Sequence, residues 1–490
     1  MPSWLAADET WDADIYSGNP LQFPGYAPEG APAGDSAVTG VLSLHGQPIV
    51  TISMQFECFG GTMGIVAGEK IVRAFDQAVR LRAPVVAVTR SGGVRLQEGT
   101  LALLQMGRTS AARARHAAAG LLMLSVFDSP TTGGVYASWA SLADLKAARR
   151  GAVMGFGGPR VVEYVTGQLP TLLSHSAEAA YARGHVDALL AEDDVLPWIE
   201  SALGLRHHQL SPPARPWVST PAERHSPRPV RSEWEVVQAA RGKGRPSGME
   251  WAAALTTSWT EIRGPEPAIR AGLATLIGGR RAVVVAMDRH ARGDGAARPG
   301  AAGFRLARRA IELAARLGIP VLTIVDTPGA EPGPEQEADG LASEIAAALE
   351  ALATASVSTV ALCVGEAGSG GAMALSYTDR YLMVEDSVFP VIAPEVAGLV
   401  LYKDPGRGGE LASRLGLTAP ELLQLGAIDQ VLGGRDVVAS VRQAVRQALD
   451  ETVPGDRHKR ADEATRRWLK APEAPASWPD QRSSAREGVS

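Results

Sequence analysis

The sequence predicts an α/β protein built from two tandem copies of one domain. The first observation is a pair of glycine turns, Pro130-Thr131-Thr132-Gly133-Gly134-Val135 and Gly368-Ser369-Gly370-Gly371-Ala372-Met373. Each follows a short β-rich apolar run, Leu121 to Val126 or Thr359 to Val364, and each opens into a helical pattern of small residues. The second is that their surroundings repeat in order. Gly46-Gln47-Pro48-Ile49-Val50 answers Gly279-Arg280-Arg281-Ala282-Val283, Ala83-Pro84-Val85-Val86 answers Ile319-Pro320-Val321-Leu322, and Gly92 matches Pro328 or Gly329. Further on, Gly134 matches Gly371, Gly158-Pro159-Arg160 matches Ala393-Pro394-Glu395, and Gly184-His185-Val186-Asp187 matches Gly426-Ala427-Ile428-Asp429. Third, strands alternate with helices in both copies, which argues for a mainly parallel sheet covered by helices. The repeat is far too long for a solenoid, so each copy is expected to be a domain with its own core.

Residues 1–37 are rich in Gly, Pro and Asp with several aromatics, and are expected to form an arm lying across a surface. The first copy, 38–206, reads as strand, helix, strand, loop, helix, strand, glycine turn, helix, strand and a closing helix. Within it Ile71, Val72, Phe75 and Val79 recur at helical spacing ahead of a strand over Val85 to Thr89. Residues 207–232 are proline-rich and charged without periodicity, and read as a linker. The second copy, 233–452, repeats the pattern, with Phe304, Leu306, Ala310, Leu313 and Ala314 ahead of a strand over Val321 to Val325. The tail, 453–490, is expected to be mostly disordered, since it becomes Pro-, Ser- and charge-rich from about Ala471.

Composition removes several function classes. The formal charge of −5, with Arg and Lys scattered among acidic residues, carries no nucleic-acid footprint. Cys58 and Cys363 are the only cysteines, too few for a disulfide framework or a cysteine-rich zinc ribbon. The nine histidines show no metal-ligand spacing. There is neither a signal-like N-terminus nor an apolar stretch long enough to span a bilayer, so a cytoplasmic protein is expected.

A strand, a paired-glycine turn and a helix start aim backbone N–H groups at one spot, where they can hold a developing oxyanion. For one such turn the alternative, glycine merely allowing helix and strand to approach, carries the better odds. Two turns in matching surroundings reverse them, and repeated βα units place the ligand at the C-terminal ends of the strands.

Longer motifs carry a family resemblance. Phe59-Gly60-Gly61-Thr62-Met63-Gly64, Gly68-Glu69-Lys70, Ser91-Gly92-Gly93-Val94-Arg95-Leu96-Gln97-Glu98, Asp128-Ser129-Pro130-Thr131-Thr132-Gly133-Gly134 and Gly155-Phe156-Gly157-Gly158-Pro159-Arg160 resemble the β subunit of the bacterial acetyl-CoA carboxylase carboxyltransferase. Asp326-Thr327-Pro328-Gly329-Ala330, Gly365-Glu366-Ala367-Gly368-Ser369-Gly370-Gly371-Ala372 and Val391-Ile392-Ala393-Pro394-Glu395 resemble its α subunit. The chain is therefore similar to a fused β–α carboxyltransferase. The resemblance implies two tandem crotonase-like (ClpP/crotonase) domains of the ββα-superhelix type.

It also implies a reaction: transfer of a carboxyl group from carboxybiotin, held on a separate carrier protein, to the α-carbon of an acyl-CoA. The amides around Gly133, Gly134 and Val135 would hold the thioester enolate, and those around Gly370, Gly371 and Ala372 the biotin ureido oxygen. No side-chain base is required, because the ureido nitrogen freed of its carboxyl group can take the α-proton. Lys70 and Arg73, at i, i+3 spacing, are candidates for CoA phosphates, against the alternative of a solvated basic face. Arg90, Ser91, Gly92, Gly93, Arg95 and Gly329 are candidates for lining the cleft. Glu366 reads as a structural carboxylate rather than an acid or base, since a hydratase would want paired carboxylates.

Departures qualify this picture. The family's four-cysteine ribbon is replaced by the N-terminal arm, so no zinc is expected. Arg90 stands where a small residue is common and either binds a substrate carboxylate or points outward. Glu331 replaces an aromatic, and Ala367 a glycine. No ATP-grasp-like region and no Met-Lys-Met biotinylation tripeptide is present, so biotin carboxylase and biotin carboxyl carrier protein partners are expected. The resemblance further implies at least a homodimer, with the site between copies. Two other readings stay open: a biotin-independent decarboxylase of malonyl-type thioesters, and a non-catalytic scaffold.

Overall fold

The computed structural model describes residues 7–31, 34–156, 162–163, 175–210, 231–291 and 295–468. The first sheet is built from β1 (Glu9–Trp11), β2 (Ala37–Leu44), β3 (Gln47–Met54), β4 (Val85–Ser91), β5 (Met123–Thr132), β6 (Leu145–Arg149), β7 (Met154–Gly155) and β8 (Ala188–Leu190). Its order is β1-β2-β3-β4-β5-β6-β8, with β7 paired to β5. The strands β1 to β3 pair antiparallel and the remainder parallel. The second sheet contains β9 (Thr256–Ile262), β10 (Ile269–Leu276), β11 (Arg281–Met287), β12 (Val321–Thr327), β13 (Thr359–Ala367), β14 (Arg380–Val384) and β15 (Gln430–Leu432), in strictly reversed order from β15 to β9. Here too the first hairpins are antiparallel and everything after β11 is parallel. The duplicated α/β organisation expected from the sequence is thus present.

The two copies share an irregularity. The β4/β5 register shifts between Thr89 and Ser91, so that Ser91 pairs with Thr131, and the β12/β13 register shifts between Val325 and Thr327, so that Thr327 pairs with Ala367. Both shifts fall immediately before a glycine turn. They release the ends of the central strands from regular pairing, where a bulge re-aims the backbone.

Each half has a cluster of its own: Ile52, Ile71, Phe75, Phe127 and Trp139 in the first, and Trp251, Leu276, Val284, Leu362 and Val441 in the second. A third cluster spans both halves. It joins Ile49, Val86, Leu124, Val126 and Leu145 of the first sheet to Phe304, Ala307, Ile311 and Ala314 of the helix Ala301–Leu317. That helix buries a wide stripe, much of it alanine, which permits close approach on more than one side. Polar ties reinforce the junction: Arg309 pairs with Asp187 at 3.0 Å, Arg316 with Asp144, and the Arg263 guanidinium lies 3.8 Å from the centre of the Tyr181 ring.

Two terminal segments also pack against the sheets. Part of the N-terminal arm is built in rather than laid over a surface: β1 extends the sheet, and Tyr26, Asp35 and Ser36 are buried. The tail contains the helix Asp456–Trp468, in which Arg457 is buried against Asp379 at 2.9 Å and Arg460 meets Asp429 at 2.5 Å. Its charges looked solvated in sequence, yet arginines three apart find carboxylates presented by the second copy. Of the linker, His208 and Leu210 run along the second half, the His208 carbonyl accepting from the Trp259 amide at 2.8 Å. Residues 211–230, 157–161 and 469–490, with most of the expected linker, the Gly158-Pro159-Arg160 segment and the end of the tail, lie outside the described residues.

Candidate active site

At the first turn β5 runs into the short helix Gly133–Tyr136. Gly133 has φ +62° and donates its N–H to the Phe156 carbonyl at 2.9 Å. The Gly134 and Val135 amides follow at the opening of the helix, where no earlier helical carbonyl is placed to accept them. A companion loop closes over this point. The Ser91 hydroxyl accepts from Gly93 N at 3.0 Å, and Gly93 has φ +113°. A Cβ on Gly133 would sit 2.8 Å from Gly93 Cα, and one on Gly134 would sit 2.6 Å from Val94 Cγ1 and 2.9 Å from Met106 Sδ. At Gly133 glycine is required because one backbone is packed on another.

The second turn repeats the construction at the end of β13, which runs through Gly368 into the helix Ser369–Met373. Ser369 has φ +57° and donates its N–H to Pro390 O at 3.0 Å, while Thr327 Oγ1 accepts from Gly329 N at 3.1 Å, with Gly329 at φ +118°. Ser91 therefore corresponds to Thr327, Gly93 to Gly329 and Gly133 to Ser369. It follows that Gly134 corresponds to Gly370, correcting by one residue the match of Gly134 to Gly371 made from sequence. Aligning glycine pairs on glycine pairs misled there, because the left-handed position is a glycine in one copy and a serine in the other. Space differs as well. Nothing lies within 4 Å of a Cβ placed on Gly370, whereas one on Gly371 would approach Ala330 N to 2.6 Å.

The expected binding residues divide. Ser91, Gly92 and Gly93 form the loop beside the first turn, Gly92 donating to Gly60 O at 2.9 Å, and Gly329 takes the equivalent place beside the second. Lys70 and Arg73 do not present a shared basic face. Lys70 is 1% exposed on the inner side of the helix Ile65–Leu81, where burial pulls its pKa below the usual lysine value despite Asp35 and Asp12. Arg73 is half exposed and engaged by Glu69 at 2.8 Å and Asp12 at 2.7 Å. Three residues along a helix straddled the border between core and solvent. Arg95 is fully buried, paired through two nitrogens with Asp35, and its remaining donors go to Tyr26, Ser36 and Thr62. Arg90 lies at the surface with Glu57 at 2.8 Å.

Sequence reasoning missed the charges behind the second turn. Glu366, buried in β13, is held by Arg289 and by Arg241 at 3.0 Å, and Arg241 continues to Glu395 at 2.6 Å. A structural carboxylate is what this arrangement makes of Glu366. Alongside, Arg245 and Asp326 form a buried pair at 2.5 Å, and a side chain at Gly365 would collide with the Arg245 guanidinium. Glycine directly before a buried glutamate was the available signal. Exposed apolar side chains border both sites: Leu96, Leu101, Leu104 and Phe156 on the first, and Val391, Ile392, Val396 and Val400 on the second. Among the described residues no three His, Cys, Asp or Glu side chains are grouped to hold a metal ion, and no helix is long and apolar enough to cross a membrane.

A protein of Parafrankia sp. (strain EAN1pec) named "Acetyl-coenzyme A carboxylase carboxyl transferase subunits beta/alpha" is 35% identical over 502 residues, covering 91% of this chain and 81% of its own length. The chain belongs to that carboxyltransferase family. A second member of this biotin-dependent group, the "Probable biotin-dependent acyl-coenzyme A carboxylase beta3 subunit" of Mycobacterium bovis, is 33% identical over 403 residues, covering 82% of this chain and 80% of its own. The family model "Acetyl co-enzyme A carboxylase carboxyltransferase-like" matches residues 230–469, the second copy together with the helix that the tail contributes. Among solved structures, a transcarboxylase 12S hexamer bound to methylmalonyl-coenzyme A superposes with a TM-score of 0.68 at 21% identity, covering 92% of this chain and 86% of that one. That likeness shows the fold, which is crotonase-like. Carboxyltransferase membership thus joins the two sheets, the two turns and the fused order of the copies under one reading.

Proposed function

We propose that this chain is the carboxyltransferase component of a biotin-dependent acyl-CoA carboxylase, moving a carboxyl group from carboxybiotin on a separate carrier protein to the α-carbon of a CoA thioester, most simply acetyl-CoA to give malonyl-CoA. The observation that carries the reading is the paired turn. Two backbone constructions of one geometry each present amides at a strand end, and the reaction develops charge on two carbonyl oxygens. Gly134 and Val135 N–H would stabilise the thioester oxygen as the α-carbon loses its proton, and the amides of Gly370 and Gly371 the ureido oxygen of the donor, whereas the Ala372 amide expected to join them is donated to Gly368 O at 3.2 Å. The N–CO2 bond of the donor breaks as the new C–C bond forms, and the freed ureido nitrogen takes the α-proton. Removing a single oxyanion donor from such a site typically costs about 3–4 kcal/mol of transition-state stabilisation.

Within one chain the two turns end different sheets, and each is bordered by exposed apolar side chains. A two-fold dimer that sets the first apolar border on the second border of its mate would bury both and bring unlike turns together. Biotin carboxylase and the carrier protein would complete the complex. The acyl group is the least constrained part of the reading, and the test is built around it. Purified chain is incubated with malonyl-CoA or methylmalonyl-CoA, with and without biocytin. The expected result is biocytin-dependent loss of the acyl-CoA carboxyl group, with one acyl-CoA preferred. Release of carbon dioxide without biocytin would replace the reading by a decarboxylase, and no turnover in either arm would favour a scaffold.

A further inference from the structure

The N-terminal segment reaches the first turn through a buried chain of polar contacts. Tyr26 Oη donates to Glu98 Oε1 at 2.7 Å and accepts from Arg95 Nη1 at 3.0 Å. Asp35 receives Arg95 through both terminal nitrogens, at 2.6 and 2.5 Å. The Arg95 guanidinium also lies 4.4 Å from the centre of the Phe59 ring, which packs edge-on against Tyr26. Glu98 Oε2 in turn accepts the Ile65 amide at the start of the helix Ile65–Leu81, at 2.6 Å. One residue before Arg95 stands Val94, the side chain on which Gly134 is packed, and before that Gly93, against which Gly133 lies. Backbone bonds flank this strip on both sides, from Met63 N to Gly93 O at 2.8 Å and from Arg95 N to Met63 O at 3.0 Å. Among the described residues the second copy has no equivalent clamp: Glu331 stands in the place of Arg95, and its strip is met instead by Arg298, 3.3 Å from Pro328 O.

We propose that Tyr26 and Asp35 are positioning residues for the reaction: they fix Arg95 and Glu98, and through them the Gly93-Val94 strip that sets the height of the Gly134 and Val135 amides. This rests on the reading of the first turn as the thioester cradle. Both side chains are buried among protein partners. Tyr26 acts as a neutral phenol throughout the working range, burial and the Glu98 carboxylate having pushed its pKa up to about 12. A misplaced cradle weakens transition-state binding more than ground-state binding, so kcat falls while KM stays.

The test uses the full chain and malonyl-CoA-dependent carboxylation of biocytin, with methylmalonyl-CoA as a second donor. Tyr26→Phe removes one hydroxyl and is expected to lower kcat about tenfold, with both KM values unchanged. Asp35→Asn is expected to lose more. Asp8→Ala loosens the same segment elsewhere, where Asp8 accepts from Ser43 N at 2.7 Å, and is expected to lower Tm while kcat stays at the parental value. Parental kcat in folded Tyr26→Phe and Asp35→Asn, or an equal loss in Asp8→Ala, would overturn the inference, and Tyr26→Phe decides alone if Asp35→Asn does not fold. Gly134→Val separates the two levels. If it is inactive while the Tyr26 and Asp35 variants are normal, only the positioning role falls; if it is fully active, the reading of the turn falls with it.

Discussion

The two glycine turns are copies in backbone and opposites in setting. The first is walled in: Gly134 is buried beneath Val94 and Met106, and its companion loop is tied to the N-terminal segment by a fully buried ion pair. The second is open: Ser369 and Gly370 are exposed, and its charges stand behind it, on Glu366, Arg241 and Arg289. Duplication preserved what the amides need, namely a left-handed residue, a hydroxyl-capped companion loop and a slipped strand register. It left free what surrounds them. On the proposed function, the closed cradle would suit an enolate shielded from water, and the open one a group delivered on a carrier protein.

The comparison is broken most severely by filling the turns. Gly134→Val and Gly371→Val are each expected to abolish carboxyl transfer, a loss of about a hundredfold or more. They should differ in stability, because Gly134 meets movable side chains and Gly371 meets backbone at Ala330 N. Gly371→Val should thus give the larger fall in Tm, read by thermal melts of both variants.

Next in size is the support behind the second turn. Arg245→Ala leaves Asp326 buried without its partner and is expected to cost about 3–5 kcal/mol, measured as a shifted denaturation midpoint. Half-buried Arg90, whose partner Glu57 is exposed, supplies the contrast at less than about 1 kcal/mol for Arg90→Ala.

One pH effect should come from the helix beside the first turn. The helix Thr100–Ala118 that carries Met106 also carries His116, whose imidazole burial has pulled down to about 4, against its hydrogen bond to Ala83 O. Between pH 6.5 and about 4 the unfolded chain binds a proton there that the native chain does not. Stability therefore declines as pH falls through that window. The corresponding helix of the second half, Leu341–Ala353, has no histidine. His116→Gln is expected to flatten the acid side of the Tm-against-pH curve, and an unchanged slope would remove His116 as its cause.

The smallest effect tests the one residue that differs in kind. Ser369 adopts the left-handed conformation that Gly133 adopts in the other copy. Ser369→Gly should relieve it and raise stability by about 1 kcal/mol at most, visible as a small rise in Tm.

The duplication, the strand and helix order and both turns were legible in sequence because they are local: glycine pairs, apolar runs and helical spacing announce themselves over a few residues. What stayed hidden depends on distant partners. Arg95 looked like a cleft residue until Asp35, sixty positions earlier, was found against it. Lys70 looked solvated because the segment covering it carries no periodic pattern. Arg457 looked like part of a loose tail because Asp379 lies far back along the chain. The one-residue error between the turns has a different origin, since residue type was matched where backbone conformation should have been.

The helix Ala301–Leu317 belongs by sequence to the second copy, yet its Phe304 and Ile311 complete the apolar layer of the first. The two halves therefore share one apolar layer besides the cluster each has of its own. Heating the intact chain should give one cooperative transition rather than two, because unfolding either half would expose the layer that the other shares.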